Sequence, residues 1–186
     1  MRCPWAEQSD IERDWHDNEW GRPLHDERRL FELLSLKGAQ AGLAWRTVLR
    51  KREAYREVFH DFDIAAVAAM DDDELMRATH DRGIIRHRLK VASVRGNARV
   101  LMTMAARGES LDALLWSFTG GETIVNAYAR PEEVPMRTPL SDRVSAELQQ
   151  RGFRFAGTAI CYGIMQSAGL INDHLLDCDC RAALLR

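Results

Sequence analysis

Arg151-Gly152-Phe153-Arg154-Phe155-Ala156-Gly157-Thr158 separates two stretches of helical periodicity. Before it, Ser141 is placed to cap a helix running to Arg151. After it, an apolar run from about Thr158 to Ala168 reads as a second helix. Glycines near both ends of the octapeptide permit a tight reversal. Helix, short glycine-containing hairpin, helix is the layout of a helix-hairpin-helix element, whose hairpin amides and following helix N-terminus face a phosphate. Many helix pairs joined by glycine turns share that layout, so spacing leaves both readings open.

The rest of the chain also reads as helix, and no stretch shows a convincing two-residue period, so the expected fold class is all-α. Asp26 caps a run in which Leu30, Phe31, Leu33 and Leu34 form an apolar stripe. Asp63 opens a short helix, Ile64 to Met70. Asp71 with Glu74 fits a capping box ahead of Leu75 and Met76. A long helix is expected from about Arg88 to Ala106, stopping before Gly108. Ser110 caps the segment that reaches Trp116 and Phe118. Residues 120 to 139 hold two adjacent glycines and three of the five prolines, the one linker-like region, with a short helix expected from Ile124 to Tyr128.

The chain has 186 residues, 46% of them hydrophobic, which suits one domain with a sizeable core. It is therefore read as a single domain, 1–186, of two lobes. No apolar run approaches a membrane span and no signal peptide is visible, so a cytoplasmic protein without a membrane partner is expected. The net charge of −2, from 26 basic and 28 acidic residues, does not by itself suggest a nucleic-acid binder. Two local basic patches stand out, Arg86-His87-Arg88-Leu89-Lys90 and Arg46 with Arg50-Lys51-Arg52. Each also reads as a solvated helix face.

Four cysteines in a reducing compartment favour metal or free thiols over disulfides. Cys3 and His16 lie near the start, and His174 and Cys178 near the end. The spacing of His174 and Cys178 places both on one face of a helix. Two thiolates and two imidazoles make a full tetrahedral zinc set with no position left for water, which is a structural site and not a catalytic one. Taken alone, Cys3 also reads as a terminal thiol and His16 as an ordinary histidine. Cys161 falls in an apolar helical run and reads as core, and Cys180 is a spare thiol and rival ligand.

Longer strings decide more. Cys3-Pro4-Trp5, Trp15-His16-Asp17-Asn18-Glu19-Trp20-Gly21, Gln40-Ala41-Gly42-Leu43-Ala44-Trp45 and Gly83-Ile84-Ile85-Arg86-His87-Arg88 occur in that order. Trp116-Ser117-Phe118, the hairpin, Gly157-Thr158-Ala159-Ile160-Cys161-Tyr162 and Asn172-Asp173-His174 follow. Together they closely resemble the 3-methyladenine DNA glycosylase I family, over nearly the whole chain. The resemblance implies a helix-hairpin-helix DNA glycosylase fold with one structural zinc, held by Cys3, His16, His174 and Cys178, joining the N- and C-terminal segments. It implies a monofunctional enzyme that hydrolyses the N-glycosidic bond of N3-methyladenine or a related alkylated base in double-stranded DNA. No obligate protein partner and no redox or nucleotide cofactor are implied.

A glycosylase must take its base out of the stack. Leu43, beside Gly42, is the candidate wedge, although it also reads as a core leucine. Trp5, Trp15 and Trp45 are candidate walls of a base pocket, since aromatic faces stack on a base and favour a cationic one. Gly152, Arg154 and Gly157 are the candidate phosphate contacts. No catalytic residue is assigned; Asp173 reads as a group that supports or caps the metal ligand beside it.

The chain departs from the family at three pocket positions. The family usually has Glu where this chain has Lys37, and commonly Tyr where it has Glu12 and Trp15. One helical turn separates Glu12 from Trp15 and His16. A Lys37–Glu12 ion pair in the pocket is therefore expected. Three rivals follow from Lys37: a changed lesion preference, a binder of alkylation damage with little catalysis, and a neutral amine that forms a Schiff base. A zinc-dependent protein-interaction module, unable to bind duplex DNA, is the remaining alternative.

Overall fold

The computed structural model describes residues 1–184; the expected domain runs on to Arg186, and its last two residues lie outside the described ones. Among the described residues the chain forms eleven α-helices and one pair of two-residue strands. Among the described residues no helix is long and apolar enough to cross a membrane.

The helix α2, Glu27–Gln40, is the centre of the fold. Asp26 caps it by accepting from the Arg29 amide, and every residue from Leu30 to Ala39 is buried. A helix buried on all sides must be covered on all sides. α3 (Trp45–Leu49), α7 (Arg88–Ala105), α8 (Leu111–Ser117) and α10 (Thr158–Ser167) do so. α1 (Asp10–Asn18) packs on α3 and on the 3-10 turn Pro4–Gln8, which brings the N-terminus over one end of the core. α4 (Arg52–Val58), α5 (Ile64–Ala69) and α6 (Asp72–His80) complete the region around α7. Asp63, Ser110 and the Asp71–Glu74 capping box stand where the sequence places them.

Three expectations are corrected. The helix before the hairpin, α9, spans Pro139–Gln150; Thr138 is its cap, and Ser141 is the reciprocal partner three residues on. Proline at the first helical position supplies the early start, because its missing N–H is one the helix leaves unpaired anyway. No helix forms from Ile124 to Tyr128. Instead β1 (Ile124–Val125) pairs in parallel with β2 (Ile171–Asn172), through Ile124 N–H to Leu170 and Asn126 N–H to Asn172. Finally, His174 and Cys178 lie on an irregular turn between β2 and α11 (Asp179–Leu184), not on a helix. The turn still brings the two side chains together.

The hairpin between α9 and α10 is pinned from inside. Gly152 reverses the chain at φ +100, where a side chain would be strained. Asn97 of α7 brackets Arg154, donating to its carbonyl at 3.1 Å and accepting from its amide at 2.8 Å. Ser145 donates to Ala156 O at 2.7 Å. Phe153 is buried while Arg154 points outward. The backbone is thus fixed and its outer face left open.

Candidate functional site

An open cleft of about 770 Å³ lies between α1, the end of α2, the Pro131–Met136 segment and α10. Its lining includes Trp5, Glu12, Trp15, Lys37 and Trp45, all expected together from the sequence, with Gly42 and Leu43 at its edge. Trp15 and Trp45 meet edge to face with centroids 5.3 Å apart. Both indole N–H groups are buried and have no acceptor among the described residues.

Lys37 is 8% exposed and lies against Gly163 of α10. Its Nζ sits 3.7 Å from the centroid of the Trp45 ring, so one face of that ring already carries a cation. Burial alone lowers its pKa, to about 7. The expected ion pair with Glu12 is not formed: Glu12 lines the same cleft but accepts from Ser9 Oγ at 2.7 Å. The reason is local. Glu12 is the third residue of α1 and Ser9 its cap, so the carboxylate is held over its own helix N-terminus, where the dipole favours it.

Sequence reasoning missed one wall. Asp173, 2% exposed, does not reach the metal-ligand candidates. Its carboxylate lines the cleft and accepts from Tyr162 at 2.5 Å, Gln166 at 2.8 Å and Asn126 at 2.7 Å. Ala159, Tyr162, Gly163 and Gln166 all line the cleft. Their spacing is the i, i+3, i+4, i+7 stripe of one helix face, and that stripe was the available signal.

The mouth is built from three segments. Leu43 is 40% exposed on the turn after α2, where Gly42 adopts φ +77. Lys90 of α7 clamps that turn, donating to Ala39 O at 2.9 Å and Ala41 O at 2.7 Å. His87 meets Phe155 of the hairpin edge to face. Exposed Arg86 and Arg88 stand beside them. The expected basic patches are therefore only partly free. Lys90 is used internally, Lys51 donates to the carbonyls of Arg82 and Gly83, and Arg52 is held by Glu19 and Glu32. Burial would raise the Glu32 pKa, but Arg52 and Arg56 hold it below the usual carboxylate range.

Behind the cleft, Cys3, His16, His174 and Cys178 are all buried, with their ligand atoms within 4.8 Å of one another. Cys178 Sγ lies 3.4 Å from His16 Nε2 and 3.3 Å from His174 Nδ1, and Cys3 Sγ lies 3.8 Å from His174 Nδ1. The second nitrogen of each ring is engaged elsewhere: His16 Nδ1 with Asp17 at 2.8 Å and His174 Nε2 with Trp20 O at 3.2 Å. Such outer bonds orient a ring toward a metal. The cluster could hold one metal ion. Cys180 approaches His16 from the Nδ1 side, at 3.8 Å, away from the cluster. Cys161 is core, donating to Ala156 O.

The family described as methyladenine glycosylase matches residues 5–182. DNA-3-methyladenine glycosylase 1 of Escherichia coli (strain K12) is 46% identical over 179 residues, 96% of each chain. DNA-3-methyladenine glycosylase of Haemophilus influenzae is 45% identical over 185 residues, 98% of each. A crystal structure of 3-methyladenine DNA glycosylase I superposes with a TM-score of 0.95 at 46% identity, over 97% of this chain and 99% of that one. The Staphylococcus aureus enzyme, solved to explain 3-methyladenine recognition, gives 0.92 at 31% identity, over 97% and 96%. Similarity of this extent, end to end and without a large insertion, is that of one family: the chain belongs to the methyladenine glycosylases.

Proposed function

We propose that the chain is a monofunctional DNA glycosylase acting in base excision repair, hydrolysing the N-glycosidic bond of N3-methyladenine or a related alkylated base in double-stranded DNA. The whole of 1–186 serves as one glycosylase domain of two lobes, working on DNA in the cytoplasm. The observation that carries this reading is the tryptophan-walled cleft opening beside an exposed leucine and a pinned hairpin. DNA phosphates sit on the outer hairpin face, at Gly152, Arg154, Gly157 and the uncapped N-terminus of α10. Leu43 enters the duplex from its Gly42 turn and fills the gap as the base leaves. The base lies among Trp5, Trp15 and Trp45, with Glu12 and Lys37 at its edges.

An N3-alkylated purine in DNA is cationic, so its glycosidic bond is weak and the base departs neutral. Water attacks the sugar carbon as that bond breaks and gives its proton to solvent. The protein supplies extrusion, stacking and fixed polar groups rather than a strong acid. The Asp173 network with Tyr162 and Gln166 keeps one wall of the cleft in place.

Zinc is the metal that suits the Cys3, His16, His174 and Cys178 set. The sulfur–nitrogen separations, 3.3 to 3.8 Å, bracket the edge of about 3.6 Å expected for tetrahedral zinc. With four protein ligands it leaves no place for water, so its role is to tie the first turn of the chain to the last.

Mass spectrometry of bases released from methylated duplex by the purified protein tests the function. Free alkylated purine with matching abasic sites is expected. Retention of damaged duplex with no base released would instead make the chain a damage binder.

A further inference from the structure

A buried hydrogen-bond donor without an acceptor is costly and therefore rare. The cleft has two, the indole nitrogens of Trp15 and Trp45, and beside them Lys37 Nζ lies on the Trp45 ring with no hydrogen-bond acceptor and no carboxylate in ion-pair range among the described residues. Lys37 is the only cation among the described residues lining the cleft. Of the two carboxylates there, Asp173 is already satisfied by three donors, and Glu12 is bonded to Ser9. The cleft is rich in free donors, and a ligand that completes it must bring acceptors.

Within the glycosylase reading, on which this step rests, the ligand is an alkylated purine, and the two purines differ in what they offer. A guanine edge presents O6 and N7, both acceptors, and a lysine reaching them is a common specific contact. An adenine edge presents N7 and an amino group, which is itself a donor. An ammonium has three hydrogens and no lone pair, so it opposes that amino group. We propose that Lys37 is a specificity-determining residue that donates to the carbonyl edge of an extruded base, so that the cleft prefers N3-alkylguanine to N3-alkyladenine.

The environment of the amine suits this task. Burial lowers its pKa to about 7, and the protonated form, which has no lone pair to offer an adenine amino group, is the one that discriminates. The Nζ need only leave the Trp45 face to reach a base edge, and doing so frees that face for stacking.

One DNA sample carrying both N3-methylguanine and N3-methyladenine tests the inference. Free bases released by wild type and by Lys37→Met are counted by mass spectrometry, each relative to its content in the DNA. Wild type should release the guanine lesion about tenfold faster, and Lys37→Met should lose most of that preference. Quenching of tryptophan emission by the two free bases supplies a readout that needs no turnover, with the same order of affinities expected. Release of both bases with N3-methyladenine favoured, in a ratio unchanged by Lys37→Met, overturns the inference and leaves the glycosylase reading intact. Release of neither base overturns both. A borohydride-trapped adduct between Lys37 and DNA would make the amine a nucleophile and overturn its role as a donor.

Discussion

Lys37 and Lys90 are buried almost equally, at 8% and 9% exposure, in two adjoining regions, yet they are settled differently. Lys90 ends on two carbonyls at the close of α2 and holds the Leu43 turn in shape. Lys37 ends on an aromatic face in the cleft, where burial is the sole cause of its lowered pKa. A buried charge with its acceptors is part of the scaffold. One without them is a cost the fold carries until something arrives to meet it. Cys3, His16, His174 and Cys178 are a further case, four buried groups within 4.8 Å of one another that could hold one metal ion.

Breaking the Cys/His cluster or the Lys90 clamp should be destabilising, and relieving Lys37 should do the reverse. The largest effect is expected at the cluster. Cys178→Ala should abolish bound metal and cost on the order of 5 kcal/mol or more, since the site closes a loop of nearly the whole chain. Cys180→Ala should leave one metal per chain, because that thiol faces the wrong side of His16. Metal analysis together with thermal melting reads both.

Lys37→Met should be stabilising, on the order of 4 kcal/mol at pH 7. The folded pKa, about 7, lies below the ordinary 10.5. The cost of burying the ammonium is therefore fully present below pH 7 and fades as pH rises toward 10.5. The gain in Lys37→Met should shrink over the same range, which denaturant titrations at several pH values would show. A constant gain would mean that packing, not charge, is responsible. Lys90→Met should act oppositely, costing about 2–3 kcal/mol by leaving two helix-end carbonyls unbonded.

At the mouth the contrast is kinetic. Leu43→Ala should slow base release about tenfold or more while leaving affinity for undamaged duplex nearly unchanged, because a wedge acts only once the base is out. Arg154→Ala should weaken binding to all duplexes and lower the salt slope by about one. Equal loss of release and of plain affinity in Leu43→Ala would remove the wedge role. The smallest effect is expected at Glu12. Its partner is Ser9 and not Lys37, so Glu12→Ala should cost only about 1 kcal/mol, the size of a weakened cap. A cost of several kcal/mol would restore the ion pair that the sequence suggests.

What could be read from the sequence follows how local the physics is. Helix caps at Asp26, Asp63, Asp71 and Ser110 were legible because a cap is a bond between residues three apart. The clustering of Cys3, His16, His174 and Cys178 was legible because its donor chemistry is unusual, though the helix inferred from His174 and Cys178 was not there: a turn brings residues four apart together equally well. The β1–β2 pair was invisible, since two residues carry no period and the partners are distant in the chain. Asp173 was misassigned by its neighbour, His174; its carboxylate is taken by Tyr162, Gln166 and Asn126 instead. Lys37 and Glu12 share the cleft, as the paired departure suggested, but sharing a wall does not make an ion pair when one partner has a closer bond.

The most direct test is single-turnover release from a duplex carrying one N3-alkylated purine, with protein in excess, followed by borohydride treatment. The account predicts that free base appears in step with an abasic strand and that no protein–DNA adduct is trapped. Duplex bound at saturation with its lesion intact would contradict it.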